Sequence, residues 1–184
     1  MTMKHKREFD KPLSDDEISD MLENIKNTVQ TLPDKQQHIL FEWFGIWEKY
    51  ISFEKTFKPN KLVYYKRGEI VLADFGYNIG SELGGKHYAV IIENNNNKAN
   101  NTVVVIPISS IADDREKPLH KSEVFLGEII PGSGVNSYAM PLQIRPISKL
   151  RIIKPKTKND KTIRISNEYL TKIDNKIKEL FTKI

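Results

Sequence analysis

The chain has 184 residues, of which 39% are hydrophobic and 29% charged, enough for one compact domain with an appendage and too charged for a membrane protein. Its longest apolar strings, such as Val103 to Ile106, fall far short of the roughly 20 residues that span a bilayer. Residues 1–11 lack the apolar run of a secretory signal. Zero cysteines exclude disulfides, a thiolate nucleophile and a zinc–thiolate site, and a cytoplasmic location is expected.

The formal net charge of +5 is unevenly spread. Up to Asn60 there are 9 Lys/Arg and 11 Asp/Glu, a net −2; from Lys61 onward there are 20 and 13, a net +7. From Arg145 to the end, 12 basic residues face 4 acidic ones. A concentration of positive charge attracts a phosphate backbone by counterion release, although a solvated lysine-rich tail has the same composition.

Ser14 and Glu17 have capping-box spacing, and Ile18, Met21, Leu22, Ile25 and Val29 follow at helical intervals. The spacing predicts a helix ended by Leu32-Pro33. A second helix would carry Ile39, Leu40, Trp43, Phe44, Trp47, Tyr50 and Ile51 on one stripe and end before Lys58-Pro59-Asn60. That stripe exceeds what two short helices bury between themselves, so it is expected to pack on the rest of the chain, a second copy or another protein.

After Asn60 the pattern changes to short β-rich runs punctuated by turn residues. Strands are expected at Glu69 to Phe75, Tyr88 to Glu93, Thr102 to Ile108, Glu123 to Leu126, Ser137 to Leu142 and Leu150 to Ile153. Most are apolar on both faces, so a helix or a partner subunit should cover the face that points away from the core. The asparagine-rich segment Asn94 to Asn97, with Asn100 and Asn101, reads as a mobile hairpin tip with no function of its own. Ser166 is the expected N-cap of a closing amphipathic helix carrying Leu170, Ile173, Ile177, Leu180 and Ile184.

Gly80 to His87 is a glycine-rich loop between two strands, but it lacks the terminal Gly-Lys-Ser/Thr of a nucleotide P-loop and no helix follows, which excludes an NTPase. The histidines at 5, 38, 87 and 120 are scattered, so no metal site is expected. His87, where the loop enters a strand beside Lys86, is the one with a plausible proton-transfer role. Ser109 and Ser110 close the strand that begins at Thr102; turn chemistry alone would account for them. No Ser-His-Asp set can be assembled from spacing, and the nucleophile-elbow pattern is absent.

Taken together, Arg67 to Phe75 followed by Gly80 to Asn94 closely resembles the opening of the MazF/PemK toxins of type II toxin–antitoxin systems. Thr102 to Ser109 is similar to that family's third strand with its terminal Thr/Ser, Leu142 to Arg145 to its late Gln-containing strand, and Ser166 to Phe181 to its closing helix. The resemblance runs from about Lys66 to the C-terminus. It implies an α+β chain: a small SH3-like β-barrel with a C-terminal helix over residues 61–184, preceded by a helical hairpin over residues 1–60.

The resemblance also implies a homodimer that cuts single-stranded RNA with no metal and no cofactor, the substrate's own 2′-OH attacking the adjacent phosphate, and an antitoxin protein as partner. In such a site Ser109 would bind or polarise the phosphate, His87 would act as general acid or base, and Lys86 would stabilise charge. Ser81, Glu82, Ser110, Gln143 and Arg145 would shape the cleft and hold RNA. The sequence departs from the family at one place: an Arg-Pro pair, its arginine on the scissile phosphate, is usual where this chain has His87 and Tyr88. A barrel that binds nucleic acid without cutting it is therefore the rival reading.

Overall fold

The computed structural model describes residues 11–111 and 120–183; residues 1–10 and Ile184, the last apolar residue assigned to the closing helix, lie outside them. The chain divides into two compact units, with the division between Gly45 and Ile46. In the first unit, helix α1 spans Asp15–Gln30. Its capping box is formed: the Glu17 N–H donates to Ser14 Oγ at 3.2 Å, and the Ser14 N–H donates to Glu17 Oε2 at 2.8 Å. Those hydrogen bonds from Ser14 hold the Glu17 carboxyl below its ordinary range. Helix α2, Asp34–Glu54, runs across the division.

None of the side chains of α1 or α2 is fully buried. In the second unit, Trp47, Tyr50 and Ile51 from the last turns of α2 line a cleft of about 220 Å³ with Ser148, Leu150 and Arg151. Trp47 nonetheless stays 51% exposed. Within the second unit, then, the end of the aromatic stripe packs in part.

The second unit is built on one antiparallel sheet of eight strands: β1 Glu69–Asp74, β2 Lys86–Ile91, β3 Thr102–Ser110, β4 Val124–Glu128, β5 Asn136–Ala139, β6 Arg145–Ser148, β7 Ile152–Lys154 and β8 Ile163–Arg164. The order is β4-β5-β3-β2-β1-β7, with β6 on β3 and β8 on β1. β3 is the longest strand because it pairs twice on one side, its start with β6 and its end with β5. Helix α3, Asn167–Phe181, closes the unit, with the Tyr169 N–H donating to Ser166 Oγ at the expected N-cap.

Alternation along the strands sends apolar residues to both faces. On one face Ile70, Val90, Ile106, Ile108 and Leu126 pack under Leu170 and Ile173 of α3. On the other Val71, Ala73, Ala89, Ile91, Val103 and Val105 pack with Tyr65, Phe75, Ile147 and Ile152. The expected cover is thus a helix on one face, and on the other the chain's own segments. Arg67 donates to the Ile92 carbonyl and pairs with Asp174, which ties α3 to the sheet.

The asparagine-rich loop turns inward, contrary to its reading as a mobile tip. Asn96 is 1% exposed, its amide donating to Glu93 and to the Thr102 carbonyl. Lys149, also 1% exposed, donates from Nζ to the carbonyl of Asn97 at 2.9 Å. Burial pushes the Lys149 ammonium below its ordinary pKa, and the nearby Glu93 carboxylate together with the Asn97 and Lys98 carbonyls opposes that loss. Lys149→Ala is expected to destabilise the fold by about 1–3 kcal/mol by orphaning these acceptors. Urea unfolding measures the loss, and amide exchange at Lys98 to Asn101 should rise selectively.

Candidate functional site

The loop from Phe75 to Gly85 joins β1 to β2, and its base is closed by backbone hydrogen bonds: Phe75 N to Gly85 O at 2.8 Å and Gly85 N to Gly76 O at 2.7 Å. Asn78 spans the interior, its amide donating to the carbonyls of Phe75 at 3.1 Å and Leu83 at 2.6 Å. Gly85 has φ +78°, which favours glycine. At Gly84 the constraint is space, since a Cβ would lie 2.5 Å from the Gly76 carbonyl oxygen.

A second layer braces the loop from below. Gln143 accepts from the Leu83 N–H at 3.2 Å and donates to the Ser81 carbonyl at 3.2 Å. Arg145 donates to the carbonyls of Gln143 at 3.3 Å and Leu83 at 3.4 Å, bonds the Gln143 side chain, and lies 5.6 Å from the centre of the Phe75 ring. These two residues therefore shape the loop. Ser81 and Glu82 sit exposed on it.

His87 follows on β2, paired with Ala73. Its ring meets Phe75 edge-on at 6.5 Å between centroids. The β2–β3 ladder ends at Tyr88 opposite Ile108, and one further step of the same register sets His87 across from Ser109. Ser109 in turn pairs with Tyr138 of β5. Directly opposed residues share a face, so His87, Ser109 and Tyr138 form a row across three strands on the Phe75 face. Lys86, exposed and opposite Asp74, belongs with Tyr88 and Ser110 to the other face. Register thus puts His87 and Ser109 on one face and Lys86 and Ser110 on the other.

Phe75 and Tyr138 escaped the sequence reading. Phe75 is 1% exposed and holds both the His87 ring edge and the Arg145 guanidinium, while its carbonyl accepts from Arg151 at 3.1 Å. A phenylalanine ending a β-run reads as core, and only its neighbours give it a part in the site. Tyr138 sits on an expected strand, but its alignment with Ser109 depends on register.

Among the described residues, no group of three His, Cys, Asp or Glu side chains is placed to hold a metal ion. Among them also, no helix is long and apolar enough to cross a membrane.

Comparison with known proteins gives one family match. The family model described as PemK-like, MazF-like toxin of type II toxin–antitoxin system matches residues 66–181. Similar solved structures include MazF (Form-I) from Deinococcus radiodurans, at 18% identity and TM-score 0.47 over 64% of this chain and 97% of that one. MazE-MazF (Form-II) from the same organism is similar at 18% identity and TM-score 0.43, over 64% and 96%. No curated protein sequence matches the chain.

Proposed function

The chain belongs to the PemK-like, MazF-like toxins of type II toxin–antitoxin systems, and we propose that it is an endoribonuclease that cuts single-stranded RNA without a metal ion. Residues 61–184 form the catalytic domain in this reading, and residues 1–60 an extension. The observation that carries it is the row of His87 and Ser109 beside the braced loop.

In the reaction, His87 takes the proton of the RNA 2′-OH, whose oxygen bonds to the adjacent phosphorus. The P–O5′ bond breaks and the leaving 5′-oxygen takes a proton from solvent water, giving a 2′,3′-cyclic phosphate and a 5′-OH, while His87 later releases its proton to solvent. Ser109 donates a hydrogen bond to a phosphate oxygen, and Lys86, on the other face of the strand end, contributes positive charge only at longer range. A nucleophile supplied by the substrate leaves the protein only proton transfer and stabilisation of the phosphorane. Histidine suits the first task better than the family's arginine, which stays protonated under ordinary conditions.

A homodimer with an antitoxin partner completes the proposal. The rival is a barrel that binds nucleic acid without cutting it, favoured by one observation: His87 stands where the family's arginine is usual.

Incubating the full chain with mixed single-stranded RNA in a chelator, and mapping the ends, tests the two readings. Cleavage with cyclic-phosphate ends is expected, and a single deoxynucleotide at the scissile position should abolish it. Cutting of that deoxy substrate, or activity only with a divalent ion, would remove the mechanism. Binding without cutting would establish the rival.

A further inference from the structure

The face of the sheet opposite His87 holds two hollows divided by a single aromatic ring. Leu72, Tyr88 and Ile108 are directly opposed on β1, β2 and β3 and so stand in a row across that face. Ile108 is 3% exposed, whereas Tyr88 is 36% exposed. On one side of Tyr88 lies a hollow of about 290 Å³ lined by Leu72, Lys154, Asp160, Lys161 and Ile163. On the other lies one of about 140 Å³ lined by Ile108, Ser109, Ser110, Ser133 and Ser137.

The two linings differ in chemistry. The hydroxyls of Ser110 and Ser137, opposed on β3 and β5, stand beside the isoleucine floor together with that of Ser133, which already accepts from the Val135 N–H, and hydroxyls that donate or accept fit the mixed edge of a nucleobase. The other hollow offers two ammonium groups. Its carboxylate, Asp160, is already engaged by its own loop, accepting from the N–H groups of Lys156 and Thr157 at 2.8 Å each and from the Thr157 hydroxyl at 3.1 Å. Those bonds hold Asp160 ionised, with Lys154 close enough to add to the effect, so the lining keeps one positive charge in excess for an anion. An aromatic ring between a cationic groove and a polar niche is the arrangement by which single strands are held, bases stacking on the ring and phosphates tracking the cations.

We propose that Tyr88 is a base-stacking post between two adjacent nucleotide subsites, with a base in the serine hollow and a backbone phosphate at Lys154 and Lys161. The inference rests on the reading of the chain as an RNA-cutting protein and adds the path of the strand. Ser109 borders the hollow at the end of β3, while its side chain belongs with Tyr138 to the opposite face. A strand seated in that hollow has to turn around the end of β3 to reach His87 and Ser109 on the other face.

The test uses the full chain and a fluorescein-labelled single-stranded 2′-O-methyl RNA, which cannot be cut because its 2′-oxygen is blocked. Anisotropy should show Tyr88→Ala weakening binding roughly 5- to 150-fold, the range for a base that loses its aromatic partner. Tyr88→Phe and Tyr88→Trp should stay close to wild type. Lys154→Gln with Lys161→Gln should flatten the salt dependence.

Equal binding by Tyr88→Ala overturns the proposal, as does a loss in Tyr88→Phe as large as in Tyr88→Ala, since stacking does not need the hydroxyl. A shift in oligomeric state of Tyr88→Ala on sedimentation would mark the face as an interface between copies and also overturn it. If wild type cuts RNA while these variants bind normally, only the stacking post fails. If wild type neither cuts RNA nor binds the probe, the reading of the chain as a ribonuclease fails with it.

Discussion

Replacing His87 with alanine is expected to slow RNA cleavage by roughly 10²- to 10⁴-fold, the cost of losing a general acid or base, with little change in thermal unfolding. The fold should tolerate the change because His87 is half-buried at a strand end, its ring touching Phe75 only by an edge. The loop base it borders is held by backbone hydrogen bonds that do not involve its side chain. His87→Arg would restore the residue usual in the family, and on this mechanism it should cut more slowly than wild type, because guanidinium is a poor proton acceptor at neutral pH. Single-turnover rates on one defined RNA separate these cases. Wild-type rates for His87→Ala would show that the proton carrier is another group, Tyr138 being next in the row. An inactive wild type switched on by His87→Arg would mean that the natural chain binds without cutting.

Phe75→Ala should be the most damaging single change in the β unit. The ring is 1% exposed and packs among Val71, Ala73, Ala89 and Ile91, where truncation of a buried phenylalanine costs about 3–5 kcal/mol. That is a large share of the roughly 5–15 kcal/mol by which domains are stable. Activity should fall further than stability explains, since the same ring supports His87 and lies under Arg145, which in turn braces Leu83 and Gln143. Phe75→Leu retains most of the volume and should recover most of the stability but only part of the activity. Urea midpoints and cleavage rates on the same preparations give both numbers. A loss under about 1 kcal/mol for Phe75→Ala would mean that the cavity collapses, and the ring would then not be what holds the loop in place.

Local chemistry made parts of this fold legible. The Ser14–Glu17 pair and the Ser166 cap act within one turn, so spacing alone disclosed them. Strands β1, β2 and β3 are apolar runs long enough to stand out. By contrast β6 contains Pro146 and β8 has two residues, and both exist through pairing with distant strands. The asparagine loop was misjudged for a related reason. Its composition favours turns, but Asn96 points inward because Lys149, more than fifty positions on, is buried against the same segment. Within the site, the family resemblance pointed to His87 and Ser109, while their common face, and the separation of Lys86 from them, follow from strand register. No local pattern carries that information.

The contact between Gly84 and the Gly76 carbonyl has a consequence for how such a site can vary by mutation. Any side chain at Gly84 would push apart backbone atoms that close the loop, so the base of the loop admits almost no drift. Its crown is under no such constraint. Ile79 is 85% exposed, and Ser81 and Glu82 are exposed beside it. Substitutions at those three positions alter the surface offered to a ligand without disturbing the strand end that holds His87. The loop thus separates a nearly immutable base from a freely mutable tip, so the surface offered to a ligand can change one residue at a time with the strand end left intact.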